Sequence, residues 1–345
     1  MQDNFFSKLQ KTYLIAEIGV NHNGSINLAK EMILEAKESG ADAVKFQTFS
    51  ADTLVANGTP KVEYQKETTD FSETHYDMLK KLELSKDGHV DLFDFCKKNS
   101  IDFLSTPYDI DSAKFLDQLG VKMFKTASAD IVDHQLQSYI ASTNKPSIIA
   151  TGMASIDEIT NVINIYKEND NTNYIILHCV SNYPCSDESL NMKSIHMITK
   201  NFSCPVGYSD HSIGNLAAIV AVSFGAKVIE KHFTLDKTLA GPDHKASSTP
   251  IEFKSLVDDI RRTEVILGSE IKKIQTEEKQ MSLVSRKSIF LKNQKNKGDR
   301  LEIDDLLFMR PGDGILADKV ELVVGKIIKN NLEPNHKITW DDIEK

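Results

Sequence analysis

Short apolar runs recur along the chain, and stretches with helical spacing separate most of them. Eight runs occur before residue 235, and nearly every one ends in a charged or hydrogen-bonding residue. The runs are YLIAEIG, AVKFQTF, DFLSTPY, MFKTAS, PSIIATG, YIILHCVS, CPVGYSD and KVIEKHF. Runs of this length predict buried strands, and apolar residues three or four apart, such as Leu28, Met32 and Ala36, predict amphipathic helices. The pattern therefore predicts eight alternating strand and helix units.

This alternation predicts an α/β fold, a (β/α)8 barrel of the TIM type, because parallel strands need crossover helices and eight units close into a barrel. The active site of such a barrel lies at the C-terminal ends of its strands. Strand starts such as Tyr13, Ala43 and Lys227 show no clustering of titratable groups. One polar strand end is ordinarily a solvated terminus, but eight in succession predict a functional site at one mouth. The strand-end residues are Glu17, Lys45, Gln47, Thr106, Tyr108, Lys125, Ser128, Thr151, His178, Ser181, Ser209, Asp210, Glu230 and His232.

The chain length predicts a second domain. At 345 residues the chain exceeds a barrel of roughly 250 residues. We predict a barrel over residues 1–268, a charged linker over 269–285 and a small, mostly β module over 286–345. The last module is indicated by the short β-like runs SIFL, LVVGKII and HKITW, which NKGD and RPGDG turns punctuate.

Residues 50–88 form an unusually long connection after the second predicted strand. Connections longer than about 15 residues in a compact domain are often functional. His75, Met78, Leu79 and Leu82 have the spacing of one helix face. We therefore predict a partly helical flap over the barrel mouth.

Composition and charge limit the partners. No apolar run approaches the ~20 residues of a membrane helix, and the N-terminus lacks the apolar core of a secretory signal, so we expect a cytoplasmic protein with no membrane partner. The formal charge of −9 argues against nucleic acid as a partner, because phosphate binding needs a basic surface. A small anionic substrate is still compatible, since exposed charges are screened over about 8 Å. The cysteines form no CxxC pair, which indicates reduced thiols: Cys96, Cys179, Cys185 and Cys204.

Two histidines stand at the ends of the seventh and eighth predicted strands. His211 follows GYSD, and His232 lies in IEKHFT. Consecutive barrel strands are neighbours, so the two imidazoles can face one ion, with water or substrate oxygens in the remaining positions. We therefore predict a divalent metal that acts as a Lewis acid, Mn²⁺ first, with Mg²⁺ or Co²⁺ as alternatives.

Lys45 and Lys125 each lie inside an apolar strand pattern, where an unpaired ammonium group is costly to bury. Three interpretations stay open. The lysines could pair with the carboxylates Glu17, Glu230 or Asp210. They could bind a substrate phosphate or carboxylate, assisted by the hydroxyls of Thr106, Ser128 and Ser209. One of them could also form a Schiff base with a carbonyl.

The motifs together resemble a known family. AEIGVNHNG at 16–24, VKFQTF at 44–49 and YDMLKKLELS at 76–85 resemble segments of the sialic acid synthase family. Further matches, in the family's order over nearly the whole chain, are FLSTPY, ATGM, LHCVSNYP, VGYSDHS, VIEKHFT and GPDHKAS. The final module, with KGDRLEIDDLLFMRPGDGI, resembles the antifreeze-like SAF domain that ends these enzymes.

The resemblance implies a transferase that condenses phosphoenolpyruvate with an N-acetylated hexosamine of manno configuration, cleaves the C–O bond and releases phosphate and a nine-carbon 2-keto sugar acid. It also implies a homodimer in which each SAF domain covers the partner's barrel mouth. We expect N-acetylmannosamine as the sugar, giving N-acetylneuraminate. The alternative is 2,4-diacetamido-2,4,6-trideoxymannose, giving legionaminate.

Carried over residue by residue, the resemblance implies a role for each site residue. Phosphoenolpyruvate would be held by Lys45, Thr106, Lys125, Ser128 and Ser209. The metal would be held by His211 and His232. The sugar side of the site would contain Gln47, Ser181, Tyr183, Asp243 and, across the dimer, Arg310. Glu17 and Glu230 would lie near the reacting centre, one of them handling the attacking water or the alkoxide proton.

Three positions depart from relatives of the family, and two other functions compete with the synthase. Asp130 stands where relatives carry Glu, Ser181 where some carry Asn, and Ala150 where many carry Ser. These changes bear on the fit to a particular sugar. A Schiff-base aldolase at Lys45 or Lys125 is the rival within the enzymes. A SAF-type binding or assembly protein is the rival outside them, and it leaves the barrel pattern without a role.

Overall fold

Eight parallel strands close into a barrel in the first of two units, as the sequence pattern predicts. The strands are β1 (Tyr13–Gly19), β2 (Ala43–Thr48), β3 (Asp102–Pro107), β4 (Phe124–Thr126), β5 (Ser147–Ala150), β6 (Tyr174–Cys179), β7 (Val206–Asp210) and β8 (Val228–His232). Strands that are consecutive in sequence lie side by side, β1 pairs with β8, and β3 contacts β4. The computed structural model describes residues 4–56, 58–70 and 72–344, and the two units divide after Gly268.

The alternation of side chains along each strand places the polar strand ends inside the barrel. In β1, Tyr13 and Ile15 belong to the apolar interior, and Glu17 is the next residue on the same face. In β2, Ala43 is followed in the same way by Lys45. The strand interior therefore changes from apolar to charged along the barrel axis.

Phe6 fills the N-terminal end of the barrel interior. It lies in a 3-10 helix, Phe6–Lys8, and is fully buried. Large apolar side chains among the described residues fill the interior positions there, as is usual for this barrel. The buried interior cluster comprises Phe6, Tyr13, Ile15, Ala43, Leu104, Met123, Ile148, Ile175, Leu177 and Val228.

Amphipathic helices cover the outside of the barrel. The helices of the first unit are α1 (Ile26–Glu38), α2 (Ala51–Leu54), α3 (Glu63–Thr68), α4 (His75–Leu82), α5 (Lys86–Lys98), α6 (Ile110–Leu119), α7 (His134–Ser142), α8 (Ile156–Glu168), α9 (Asp187–Leu190), α10 (Lys193–Phe202), α11 (Leu216–Ser223) and α12 (Pro250–Leu267). Of these, α2, α3 and α4 lie in the connection between β2 and α5. The sequence sets their starts: Ser25 caps α1, and Thr249 caps α12 with Pro250 in its first turn. Within the described ranges, no helix is long and apolar enough to cross a membrane.

The second unit has a small core of its own. Its strands β9 (Ser288–Leu291) and β10 (Leu306–Met309) pair antiparallel, and its helices are α13 (Glu278–Ser285) and α14 (Val320–Val323). Helix α13 lies in the segment predicted as a linker. The run LVVGKII is not a strand. Its first two residues end α14, and Gly325 within it has a φ of +84°, a left-handed conformation that glycine adopts without strain. The buried core includes Ile289, Leu291, Leu301, Val323 and Ile338.

Candidate active site

A cavity of about 540 Å³ opens at the C-terminal ends of the barrel strands. Its volume falls in the range of roughly 300–1,000 Å³ that small-molecule sites occupy. Every predicted site residue of the first unit lines it: Glu17, Lys45, Gln47, Thr106, Lys125, Ser128, Ser181, Tyr183, Ser209, His211, Glu230, His232 and Asp243. Arg310, which belongs to the second unit, is exposed, and its role stays a prediction.

Two lysines and two glutamates alternate at the cavity floor. Lys45 Nζ lies 2.6 Å from Glu17 Oε2 and 3.9 Å from Glu230 Oε2, and Lys125 Nζ lies 3.3 Å from Glu230 Oε1. All four side chains are buried. Lys45 also donates a hydrogen bond of 2.9 Å to Thr106 Oγ1. The lysines therefore have the carboxylate partners that their burial requires, while both still border the cavity.

The two glutamates differ in proton affinity. Burial raises the pKa of Glu17 in spite of the Lys45 ammonium group. Burial also opposes ionisation of Glu230, but Lys125 and Lys45 outweigh it and bring the pKa of Glu230 to about 2. Two carboxyls whose pKa values move apart are suited to different proton-transfer roles.

The protonation of Lys125 bears on the Schiff-base interpretation. Burial lowers the pKa of Lys125, but Glu230 and Glu17 reverse that effect and raise it above the ordinary value. A Schiff base needs a neutral amine as nucleophile. Lys125 is therefore suited to bind an anion and poorly suited to attack a carbonyl.

His211 and His232 face each other across the cavity wall. Their ring centroids are 5.6 Å apart, and the Tyr183 ring lies 4.1 Å from that of His211. Nδ1 of His211 lies 2.7 Å from the Val180 carbonyl oxygen, so a proton on Nδ1 leaves the Nε2 lone pair available. Burial lowers the pKa of both histidines and keeps the imidazoles neutral, the form that binds metals.

The two imidazoles fit a metal ion whose remaining coordination positions are filled by water or substrate. Nδ1 of His232 is buried and accepts or donates no hydrogen bond within the described residues, and Asp243 Oδ2 lies 3.8 Å from it. In the described part of the chain no three or more His, Cys, Asp or Glu side chains form a ready-made metal cage. Two neutral imidazoles with open positions match the predicted Lewis-acid site better than a closed structural one.

A group of small polar residues forms another part of the cavity wall. Ser128 Oγ accepts a hydrogen bond of 2.9 Å from the Gly152 backbone N–H and lies 3.2 Å from Cys179 Sγ. A Cβ atom added to Gly152 would collide with the hydroxyl oxygens of Ser181 and Ser128. A side chain at this position would therefore force these hydroxyls to move. Ala150 lines the cavity beside them without a hydroxyl of its own.

The sugar-contact candidates include one carboxyl with an unusual environment. Burial, with a contribution from Glu17, raises the pKa of Asp243 to about 7. Gln47 Nε2 lies 3.3 Å from Glu17 Oε1. The cavity thus contains a carboxyl and an amide that can hydrogen-bond to a polyhydroxylated ligand next to the charged floor.

Three strand-end residues do not line the cavity: Thr151, His178 and Asp210. Asp210 was a candidate partner for Lys45 and Lys125, but it pairs with Lys231 instead, at 2.6 Å. The reason is the strand alternation, because Ser209 and Glu230 occupy the interior positions of β7 and β8. His178 also points away, and its Nε2 lies 2.7 Å from the Leu190 carbonyl oxygen.

The segment between β2 and α5 lines the cavity, in agreement with its prediction as a flap. Its residues in the cavity wall include Leu54, Val55, His75, Met78, Leu79 and Leu82. Asp52, in the same segment, contacts α4: it accepts a hydrogen bond of 2.6 Å from Tyr76 and lies 3.1 Å from Lys80 Nζ. The spacing within α4 was visible in the sequence, but Leu54, Val55 and Val20 carried no signal that singled them out.

Comparison with known proteins gives consistent matches over both units. Residues 32–272 match the NeuB family, and residues 286–344 match the SAF domain. The chain is 45% identical over 336 residues to the N,N'-diacetyllegionaminic acid synthase of Legionella pneumophila, covering 96% of this chain and 94% of that protein. It is 41% identical over 332 residues to the protein of the same name from Campylobacter jejuni, covering 96% and 99%. The structure of an N-acetylneuraminic acid synthetase from Leptospira borgpetersenii superimposes with a TM-score of 0.72 at 34% identity, covering 79% of this chain and 90% of that one.

Proposed function

Because the chain belongs to the NeuB family of phosphoenolpyruvate-dependent nonulosonic acid synthases and ends in a SAF domain, we propose that it is an N,N'-diacetyllegionaminic acid synthase. Its acceptor would be 2,4-diacetamido-2,4,6-trideoxymannose. The observation that carries this proposal is the 45% identity to the Legionella enzyme over nearly the full length of both chains. The sequence motifs alone led us to expect N-acetylmannosamine, and the comparisons favour the alternative.

N-acetylneuraminate synthesis is the second candidate. The Leptospira synthetase carries that name and shares the fold at 34% identity. Its identity to this chain is lower than that of either legionaminate enzyme. We therefore rank N-acetylmannosamine second as the acceptor.

We assign the binding of phosphoenolpyruvate to Lys45 and Lys125. The two ammonium groups border the cavity, and each lies beside a glutamate carboxyl, Glu17 for Lys45 and Glu230 for Lys125. An anionic substrate that enters the cavity gains two preorganised cations without a large rearrangement. The hydroxyls that would complete this subsite belong to Thr106, Ser128 and Ser209.

We assign metal binding to His211 and His232. Enzymes of this family generally depend on a metal. Mn²⁺ is our first choice, with Mg²⁺ or Co²⁺ as alternatives, because the two imidazoles leave positions for oxygen ligands. When bound, the metal would supply Lewis-acid polarisation of the sugar aldehyde.

The residues of this chain would then transfer protons and stabilise negative charge. C3 of phosphoenolpyruvate attacks the aldehyde carbon of the open-chain sugar, and the new alkoxide takes a proton from the carboxyl of Glu17, whose raised pKa makes it the better proton donor of the two glutamates. Water adds at C2 of the former phosphoenolpyruvate, and Glu230, ionised at neutral pH, accepts its proton. The hemiketal phosphate collapses with C–O cleavage, and the Lys45 and Lys125 ammonium groups stabilise the departing phosphate.

The sugar would lie against Gln47, Ser181, Tyr183 and Asp243, with Arg310 from the second subunit of a homodimer at the N-acetyl end. Exposed apolar side chains that follow β5 and β7 are consistent with a covered mouth. Met153, Ile213 and Leu216 are 72%, 80% and 71% exposed, and exposed apolar surface is a common feature of protein–protein contacts.

Phosphate release tests the proposed function. The purified protein is incubated with phosphoenolpyruvate and Mn²⁺, and the two candidate sugars are compared in parallel. A higher kcat/KM with the diacetamido sugar supports legionaminate synthesis, and a higher kcat/KM with N-acetylmannosamine would reassign the enzyme. Oxygen-18 in the bridging position of phosphoenolpyruvate should emerge in phosphate, and its retention in the sugar acid would exclude C–O cleavage.

A further inference from the structure

One face of α4 forms part of the cavity wall and carries a single polar group. His75, Met78, Leu79 and Leu82 follow the i, i+3, i+4, i+7 spacing, and all four line the cavity. Met78 and Leu82 are almost fully buried in a cluster that includes Val20 and Phe49. The face is therefore apolar except at its first residue.

Within the described residues, the buried ring nitrogen on this face has no hydrogen-bond partner. Nδ1 of His75 is buried and makes no hydrogen bond to any residue that the structure describes. The N-terminus of α4 does not use it, because Thr74 and Asp77 cap that end of the helix reciprocally. A buried polar atom without a partner is uncommon in a folded protein and calls for a ligand or water. The side chain of His75 lines the cavity, so an occupant can contact its ring.

The opposite face of α4 is anchored to other parts of the flap. Tyr76 and Lys80 contact Asp52, Lys80 also contacts Glu83, and Lys81 lies 2.6 Å from Glu73. The outer face of the helix is thus held by polar contacts that do not involve the cavity. On the inner face, Met78 and Leu82 pack in the apolar cluster, while His75 and Leu79 are only partly buried and can contact a ligand.

The two candidate sugars differ at C4 and C6. The diacetamido sugar has an acetamido group at C4 and a methyl group at C6, where N-acetylmannosamine has hydroxyls. The acetamido group adds one N–H, one carbonyl and a methyl group, and C6 loses its polar atom. The α4 face, which is apolar with one hydrogen-bonding group, matches these two substituents and itself offers no partner to the C6 hydroxyl of N-acetylmannosamine.

We propose that α4 determines acceptor specificity: His75 hydrogen-bonds the C4 acetamido group, and Met78 and Leu79 pack against the methyl groups at C4 and C6. This inference rests on the proposed function, because it assumes the diacetamido sugar as acceptor. Burial and the nearby Lys61 lower the pKa of His75, so its neutral ring offers one donor and one acceptor at neutral pH. An acetamido group offers the complementary pair.

Steady-state kinetics of His75→Ala with both sugars tests the proposal. We expect kcat/KM for the diacetamido sugar to fall roughly tenfold, kcat/KM for N-acetylmannosamine to change less than about twofold, and the KM for phosphoenolpyruvate to stay constant. His75→Asn keeps a polar atom near the Nδ1 position and should recover part of the loss. Leu79→Asn should shift the ratio of the two kcat/KM values further toward N-acetylmannosamine, because it offers a partner to the C6 hydroxyl.

Lys80→Ala is the matched control, since it alters the outer face of the same helix and should leave the ratio of the two kcat/KM values at the wild-type level. An equal loss with both sugars in His75→Ala, or an unchanged ratio, would overturn the proposal. A changed ratio in Lys80→Ala would also overturn it, because the effect would then come from flap order. The wild-type preference decides the proposed function separately: a wild type that prefers N-acetylmannosamine refutes the legionaminate assignment, whatever the variants do.

Discussion

Lys231 Nζ lies 2.6 Å from Asp210 Oδ2, and this buried ion pair joins the ends of β7 and β8 on the side away from the cavity. Each partner directly precedes one of the two cavity histidines, His211 and His232. Lys231 also donates to the Ser212 carbonyl oxygen at 2.9 Å. The pair therefore fixes the backbone from which both candidate metal ligands project.

Lys231→Met should destabilise the protein. It leaves Asp210 as a buried, unpaired charge, which typically costs about 3–5 kcal/mol. The double variant Lys231→Met/Asp210→Asn should recover much of that loss, because neither charge is then isolated. Urea unfolding measures both, and Lys200→Met, at an exposed position, is the control. A cost below about 1 kcal/mol for the single variant would mean that the pair contributes little.

Gly152→Ala should impair catalysis more than folding. The added methyl group would displace the Ser128 and Ser181 hydroxyls from the wall of the cavity. Misplacement of a binding group by about 1 Å can cost roughly 100-fold in rate, and we expect a loss of that order in kcat/KM for phosphoenolpyruvate. Kinetics at saturating sugar measures it. Wild-type kcat/KM in a folded Gly152→Ala protein would remove Ser128 and Ser181 from the substrate subsite.

Asp130→Asn should stabilise the protein at alkaline pH. Burial and Asp133 raise the pKa of Asp130 in the folded state to about 7, while an unfolded aspartate titrates near 3.9. Between these two pKa values the unfolded chain has lost a proton that the folded chain keeps, so the free energy of unfolding of the wild type falls as the pH rises from about 4 to about 7. Above about pH 7 the whole destabilisation caused by burying the Asp130 carboxylate is present. The advantage of the variant should be largest at pH 8 and vanish near pH 4. Thermal unfolding across this range measures it, and an advantage independent of pH would contradict the assignment.

His211→Ala should abolish metal binding. With one imidazole left, the site lacks a second nitrogen ligand, and we expect activity to fall at least ~100-fold. Metal content after gel filtration in Mn²⁺ is the direct measurement, and His196→Ala, at an exposed position, is the control. A folded His211→Ala protein that turns over at the wild-type rate in EDTA would refute the metal site.

The sequence could predict that polar strand ends meet at the mouth of the barrel, because two simple rules act together. Apolar runs with period two place Glu17 and Lys45 on the interior face, and the barrel brings all such ends to one mouth. The same rules explain what failed: Asp210 occupies the other face of its strand, and a sequence run does not show where the alternation begins. The role of His75 depends on how the flap folds back over the mouth. The comparisons favour the diacetamido sugar over the expected N-acetylmannosamine, a distinction that the quoted motifs did not show because the relatives share them.

Phe6 and the interior cluster close the barrel below the active site, so the described residues leave the cavity open at the mouth of the barrel. A reactant bound at the charged floor must enter before the sugar occupies the space above it. The enzyme should therefore follow a compulsory-order mechanism, with phosphoenolpyruvate first and the free phosphate trapped until the sugar acid departs.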